Sequence, residues 1–170
     1  GKFQVLRHVN LNVEAGQCVA MIGPNACGKT TLIKCILGMV IPTSGHIYIK
    51  GKDIAGQFDY RHHLGYMPQK GRYPDNMTIG QVIDMMKDIR KGQAPFDEQL
   101  IYDFKLNTIL HKKMRTLSGG TIQKVSAALA FMFNPDVLIL DEPTAGLDPI
   151  SAEILKEKIL AVNQQGKLVI

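Results

Sequence analysis

Residues 23–31 have the pattern of a loop that binds phosphate. They follow G-x-x-x-x-G-K-S/T, with the apolar run 18–22 before them and a helical pattern over 31–37 after them. Glycines allow several backbone N–H groups to converge on an anion, and the N-terminus of the following helix adds a partial positive charge. A strand, a loop and a helix in this order are the context that the pattern requires. The segment therefore predicts a nucleotide site.

The chemistry expected of this loop divides between side chains and backbone. Lys29 can reach the β- and γ-phosphates and serve catalysis there, and the Thr30 hydroxyl can bind Mg²⁺. Cys27 lies beside a helix N-terminus and a lysine, which favours a reactive thiolate, although a tolerated small residue is the simpler interpretation. We predict that the nucleotide contacts the whole loop: Gly23, Pro24, Asn25, Ala26, Cys27, Gly28, Lys29, Thr30 and Thr31.

An acidic pair follows a second apolar run. Val137–Leu140 has the composition of a buried strand, and Asp141 and Glu142 come directly after it. Because parallel strands end at the same edge of a sheet, we expect both carboxylates beside the phosphate loop. There Asp141 would hold Mg²⁺, directly or through water, and Glu142 would polarise the attacking water. Acidic pairs after apolar strands are common, so it is the combination with the loop that indicates nucleotide hydrolysis.

A third segment, Leu117–Gly120, places a serine and two glycines before a helical pattern. Ser118, Gly119 and Gly120 would open that helix and make a second anion site. Alone, such a segment is more often an ordinary turn, and its meaning depends on its position between the other two motifs.

The elements that must position these residues alternate between strand and helix. This alternation around a phosphate loop predicts an α/β fold, a P-loop NTPase core with a mainly parallel sheet. A small N-terminal antiparallel part and a helical insertion complete it. Strands are expected within 3–13 and over 17–22, 46–50, 64–67, 137–140 and 168–170, and helices over 29–38, 79–86, 97–104, 118–134 and 151–164.

The chain of 170 residues suits a single domain. Residues 1–70 and 116–170 have the α/β pattern, whereas residues 71–115 read as a helical subdomain. The last residues, 168–170, begin a strand that the sequence does not finish, so we expect the domain to be incomplete at its C-terminus.

Composition narrows the class of protein. Hydrophobic residues make up 45% of the chain, no apolar run approaches the length of a membrane span, and the N-terminus has no signal-peptide pattern. We therefore expect a cytoplasmic protein. The net charge of +5 could attract nucleic acid or anionic lipid, but the basic residues do not cluster, so no direct nucleic-acid binding is expected.

Other residues with metal-binding or redox chemistry have simpler interpretations. The three cysteines fit neither a disulfide framework nor a zinc site. We expect Cys18 and Cys35 to be small core residues. His62 and His63 are expected on the surface, and Met85 and Met86 in core packing rather than in metal binding.

The order of the motifs resembles the nucleotide-binding domain of ATP-binding cassette (ABC) proteins. Leu117–Gly120 is similar to the family signature, Gln69 to the catalytic glutamine of the Q-loop, and Ala145–Asp148 to the D-loop. Together with the phosphate loop and the acidic pair, these motifs cover residues 23–148.

The resemblance implies a mechanism that needs two subunits. The signature residues, with Asp148, would contribute to a nucleotide site in which Ser118 caps the γ-phosphate of ATP held by a partner subunit. Gln69 would contact Mg²⁺ and the attacking water. The implied cofactors are ATP and Mg²⁺. The implied partners are a second nucleotide-binding subunit, identical or not, and transmembrane permease subunits, which would place the chain peripherally on the inner face of the membrane.

The sequence departs from the family pattern at several points. Thr121 replaces the usual signature glutamine, and Ala26 and Cys27 replace the usual Gly-Ser of the phosphate loop. The backbone N–H groups of the loop remain. The adenine-stacking aromatic residue would precede Gly1, and the switch histidine would follow Ile170.

Within the family, residues 116–124 and 144–149 look most like bacterial exporters. These are multidrug or copper-processing types, the latter including the ATPase subunit for nitrous-oxide-reductase maturation. One alternative is a soluble ABC ATPase acting on nucleic acid or ribosomes, which would carry a long coiled coil or a second cassette. Another alternative is a regulatory module that binds nucleotide without hydrolysis. The presence of Glu142 and Gln69, the residues expected to act on the attacking water, is evidence against it.

Overall fold

The computed structural model describes residues 4–24, 26–90 and 95–170. A three-stranded sheet carries helices on both faces, and a two-stranded hairpin stands apart from it. The strands are β1 (Tyr48–Ile49), β2 (Lys52–Asp53), β3 (Leu64–Met67), β4 (Val137–Leu140) and β5 (Leu168–Val169). The helices are α1 (Lys29–Ile36), α2 (Ile79–Ile89), α3 (Gln99–Asp103), α4 (Gly119–Phe131) and α5 (Pro149–Gln164), with 3-10 turns at Asp59–His63, Leu106–Ile109 and Met114–Thr116.

The main sheet is parallel, with strand order β3-β4-β5. Leu64 pairs with Val137, and Val137 in turn pairs with Leu168. A single parallel bridge between Cys18 and Val169 continues the sheet toward the phosphate loop. β1 and β2 are antiparallel. The α/β fold with a mainly parallel sheet and a small antiparallel part is therefore confirmed, with the antiparallel pair at β1 and β2.

The core is divided by the sheet because successive side chains of β4 point to opposite faces. Leu138 packs into the larger cluster with α4 and α5, whereas Ile139 packs on the other face with Ile33 of α1 and with Leu37, which follows that helix. Burial of each such side chain contributes about 1.5–3 kcal/mol to the stability of the fold. Every residue of the stretch 125–131 in α4 is buried, so this helix forms the centre of the larger cluster.

The helices begin where their sequences provide caps. Thr78 and Gln81 form a capping box at the start of α2. Asp148 caps α5 ahead of Pro149 at the first turn. Between residues 71 and 115, the described regular elements are all helical. Among the residues that the structure describes, no helix combines the length and apolar composition needed to cross a bilayer.

Two expectations for the N-terminal part were wrong. The described stretch 4–13 contains no strand, and Phe3 lies outside the described residues. Its apolar residues Val5, Val9 and Leu11 stay exposed, because no neighbouring strand covers them within the described chain. The expected strand over 17–22 is reduced to the bridge at Cys18, whose side chain is exposed rather than in the core.

The other expected strands and helices are present, with shifts at the element ends. Met86 packs against the larger core cluster as predicted, whereas Met85 lines a groove along α2. Cys35 is buried, and His62 and His63 are exposed, as predicted. β3 and β4 have the expected bounds. α1 ends two residues before Gly38, whose positive φ of 66° terminates the helix as a left-handed residue does.

Candidate nucleotide-binding site

The carboxyl ends of β3 and β4 bring the predicted catalytic residues to one edge of the sheet. The Asp141 N–H donates to the carbonyl of Met67 over 2.9 Å, so the ladder continues to the last residues of both strands. Beyond it, the Gln69 Nε2 donates a hydrogen bond of 2.7 Å to Glu142 Oε2. The two side chains that the sequence assigned separately to the attacking water therefore contact each other directly.

Glu142 has an unusual backbone conformation. Its φ is 51°, in the left-handed region that non-glycine residues seldom occupy. Such positions cluster at functional sites, where the surrounding structure maintains them. Here the turn redirects the chain from β4, and the exposed Glu142 side chain meets Gln69.

The phosphate loop folds around its own lysine. Lys29 Nζ donates to the carbonyl oxygens of Gly23, over 2.6 Å, and Pro24, over 3.0 Å. Gly28 precedes α1 with a φ of 104°, and a Cβ there would lie 2.9 Å from Leu6 Cδ2. Only glycine fits both the conformation and the space.

The other described residues of the loop differ in exposure and in backbone conformation. The Thr30 side chain is exposed, and Thr31 is half-buried, while Ala26 has a left-handed φ of 63°. The Cys27 thiol is exposed, with its Sγ 3.8 Å from Lys29 Nζ. Asn25 lies outside the described residues.

The Asp141 side chain is less exposed than that of Glu142, and its environment disfavours the ionised carboxylate. Burial raises the pKa of its carboxyl, the adjacent Glu142 raises it further, and Lys29 acts in the opposite direction. The interaction with Lys29 shows that the acidic pair and the phosphate loop share one electrostatic environment. A cation at this place would relieve the repulsion between the two carboxylates.

The side chains assigned to Mg²⁺ provide suitable ligand atoms. Thr30, Gln69 and Asp141 offer a hydroxyl, an amide oxygen and a carboxylate, and Mg²⁺ prefers oxygen ligands. In the described part of the chain, no cluster of three or more His, Cys, Asp or Glu residues could hold a metal by itself. This donor set suits an ion that is bound together with nucleotide phosphates.

Asp141→Asn should stabilise the protein without nucleotide. The raised pKa means that ionised Asp141 lowers the free energy of unfolding at neutral pH, and the amide removes that cost. We expect the melting temperature at pH 7 to rise by on the order of 2 °C. The gain should shrink as pH falls toward about 3.9, where the carboxyl is protonated in the unfolded chain as well.

Calorimetry across this pH range measures the effect, and Asp103→Asn on the exposed face of α3 is the matched control. The same Asp141→Asn protein should lose the Mg²⁺-dependent part of its ATP affinity. A lower melting temperature at pH 7 would contradict this interpretation of the Asp141 environment.

The signature residues open α4, as the sequence predicts. Ser118 Oγ accepts a hydrogen bond of 3.2 Å from the Thr121 N–H and contacts the Thr121 hydroxyl at 2.9 Å. A Cβ at Gly119 would meet no atom within 4 Å, whereas one at Gly120 would lie 2.7 Å from the Gly146 carbonyl oxygen. The start of α4 therefore presents open space at Gly119 and packs against the D-loop at Gly120.

Asp148 is engaged within its own chain. It caps α5 by accepting from the Ser151 N–H over 2.9 Å, and it forms a 2.8 Å ion pair with Lys124 of α4. The Lys124 ion pair, followed by hydrogen bonds from Ser151, lowers the pKa of this carboxyl. The motif pattern predicted a nucleotide role for Asp148 and left Lys124 unassigned, because no periodicity in the sequence links the two residues.

Comparisons with known proteins identify the family and the fold. The family described as "ABC transporter" matches residues 6–145. The zinc import ATP-binding protein ZnuC of Psychrobacter arcticus is 35% identical over 88% of this chain and 58% of that protein. The manganese transport system ATP-binding protein MntB of Bacillus subtilis is 33% identical over 99% of this chain and 70% of that protein. An uncharacterized ABC transporter ATP-binding protein of Synechocystis is 30% identical, and the chain spans 49% of its length.

Solved structures show the same fold. The ATP-binding subunit of an ABC transporter superposes with a TM-score of 0.87 at 29% identity, covering 97% of this chain and 71% of that one. A dimeric ATP-binding cassette in a post-hydrolysis state, bound to ADP and Pi, has a TM-score of 0.83 at 26% identity, covering 97% and 78%. The chain thus spans about half to three-quarters of the length of these five proteins.

Proposed function

The chain belongs to the ABC transporter family, and we propose that it binds and hydrolyses ATP as one half of a head-to-tail dimer. The observation that supports this most directly is the Gln69–Glu142 hydrogen bond at the strand ends. It holds a carboxylate base beside an amide that can orient water, in the electrostatic environment of Lys29. Nucleotide binding alone would require neither side chain.

In this proposal, each residue has a defined role toward ATP. Lys29 leaves its loop carbonyls for the β- and γ-phosphates. Thr30, Asp141 and Gln69 would hold Mg²⁺, whose charge would help to neutralise that of the transferred phosphoryl group. Glu142 accepts a proton from the attacking water. Loop N–H groups of residues 23–31 surround the phosphates.

The dimer follows from the position of the second anion site. Ser118, Gly119 and Gly120 are placed at the N-terminus of α4, where N–H groups are available to a phosphate. We propose that this end caps the γ-phosphate held by the partner subunit, with Asp148 near that interface. A dimeric cassette among the similar solved structures supports the arrangement.

The transmembrane partner would contact the helical subdomain, residues 71–115. A groove along α2 has an apolar floor and an acidic rim, and we propose that a permease segment with basic residues occupies it, placing the chain on the inner face of the membrane. Its lining residues are Met77, Gln81, Asp84, Met85, Asp88 and Ile89.

The assignment to an exporter, of multidrug or copper-processing type, stays a prediction from residues 116–124 and 144–149.

Phosphate release from ATP by the intact protein tests the proposed function. Wild type should release phosphate only with Mg²⁺, and Lys29→Ala should reduce the rate by at least about 100-fold, because phosphoryl transfer depends on electrostatic stabilisation. Lys34→Ala, which removes an exposed lysine of the same helix, is the matched control. ATP binding without release would instead support a regulatory module. Undiminished release by Lys29→Ala would contradict the assigned site.

A further inference from the structure

The chain that leaves Gln69 lies directly against the signature helix α4. A Cβ at Gly71 would overlap the Ser126 hydroxyl and lie 3.3 Å from Ile122 Cγ2. Both contacted residues belong to α4. The backbone therefore contacts α4 at Gly71, two residues after Gln69. Two residues of extended chain span at most about 7 Å, so Gln69 lies within that distance of the contact. Gln69 cannot move far without moving Gly71 along α4 or taking α4 with it.

A hydrogen-bonded pair reinforces this contact. The Tyr73 hydroxyl donates to Ser126 Oγ over 2.9 Å, and Ser126 Oγ donates to the Ile122 carbonyl over 3.0 Å. Ser126 is only 1% exposed, and burial raises the pKa of the Tyr73 hydroxyl. Separating the pair would leave the Tyr73 hydroxyl without this acceptor, which is unfavourable for a group in a buried environment, whereas Ser126 would keep its bond to the Ile122 carbonyl.

A second contact ties α4 to the catalytic glutamate from another side. Lys124 pairs with Asp148, which ends the loop that begins after Glu142. Lys124 and Ser126 are about 200° apart around the helix axis, so they hold segments on different sides of α4. With the Gln69–Glu142 hydrogen bond, these contacts form a closed ring through the catalytic pair and the signature helix.

We propose that Tyr73 and Ser126 are positioning residues that connect the signature helix to Gln69. The inference rests on the proposed function, because it concerns how the half-site for the partner's nucleotide communicates with the chain's own catalytic pair. α4 begins at that half-site and carries Ser126 two turns later. When a partner's phosphate engages the start of α4, any displacement of the helix carries Gly71 and Tyr73 with it and repositions Gln69 against Glu142.

Removing one hydroxyl at a time tests the link. In the intact protein, Tyr73→Phe should lower kcat for ATP hydrolysis by about 5- to 10-fold, the factor expected for loss of one hydrogen bond. Ser126→Ala should lower kcat by at least as much, because it also removes the bond to the Ile122 carbonyl. The affinity for ATP, measured by fluorescent nucleotide titration, should stay within about 2-fold, because neither residue touches the phosphate loop. The double variant should be no slower than the slower single variant. Tyr102→Phe, on the exposed face of α3, is the matched control.

A steric test addresses the same contact independently of the hydrogen bond. Gly71→Ala should lower kcat in the wild-type background because the new Cβ would overlap the Ser126 hydroxyl and lie 2.9 Å from Tyr73 Cε2. In the Ser126→Ala background the hydroxyl, which is the nearer obstacle, is absent, so the same substitution should have a smaller effect. An equal effect in both backgrounds would contradict the proposed packing.

The outcomes separate this inference from the proposed function. If the wild type is active and Tyr73→Phe and Ser126→Ala have the same kcat as the wild type, the link is overturned. The proposal that the protein hydrolyses ATP would not be affected by that result. A parallel loss of ATP affinity and kcat would show that the pair supports the fold alone, which also overturns the link. A wild-type protein that binds ATP without hydrolysing it would overturn the proposed function itself.

Discussion

Glu142→Gln is expected to bind ATP normally and to lose most of its turnover. The amide keeps the size and the contact with Gln69 but cannot accept a proton from water. General-base catalysis typically contributes 10²–10⁴-fold, so phosphate release should fall by at least about 100-fold. The substitution also removes the repulsion between Glu142 and Asp141. The nucleotide-bound form should therefore be at least as stable as that of the wild type.

Two measurements separate binding from turnover in this variant. Nucleotide titration should give an affinity close to that of the wild type, and size-exclusion chromatography with MgATP should show a trapped dimer. Glu153→Gln is the matched control, because this exposed glutamate forms an ion pair with Lys156 on the surface of α5. Near-normal hydrolysis by Glu142→Gln would exclude Glu142 as the base and leave Gln69 to be tested next.

The sequence predicted the edge of the sheet that carries the site because the relevant signals are local. Val137–Leu140 is apolar throughout, as a strand buried on both faces must be, and it appears with those bounds. The glycine pattern of residues 23–31 requires a loop before a helix, and α1 begins at Lys29. Because parallel strands end together, the strand pattern alone was enough to assign Asp141 to the region of the phosphate loop.

Contacts between segments distant in the chain could not be predicted in this way. Gln69 and Glu142 are separated by 73 positions, and no periodicity indicates that an amide and a carboxylate will meet. The same applies to Lys124 and Asp148, whose pairing depends on how the first turns of α4 meet the D-loop. The N-terminal strands were mispredicted for a related reason. Residues 4–13 have the apolar composition of a strand, but a strand also requires a neighbour with which to pair.

Activity should reappear when two inactive variants are mixed, if the signature serves the opposite subunit. Lys29→Ala disables the phosphate loop, and Gly119→Asp places a carboxylate at the start of α4 where the partner's phosphate would bind. In a mixed dimer, one site carries both defects and the other carries neither. Equal mixing makes half of the dimers mixed, so activity should return to about one quarter of the wild-type value. Phosphate release as a function of mixing ratio measures this.

Gly119 is a better position for this experiment than its neighbour. A Cβ at Gly120 would lie 2.7 Å from the Gly146 carbonyl of the same chain, so Gly120→Asp would disturb its own D-loop. At Gly119 the space is open, and an aspartate in the first turn of a helix is favourable. Gly119→Ala, which adds no charge, is the control and should remain active. The Gly119→Asp monomer should bind ATP as the wild type does. If it does not, the signature acts on the nucleotide of its own chain, and the head-to-tail arrangement is wrong.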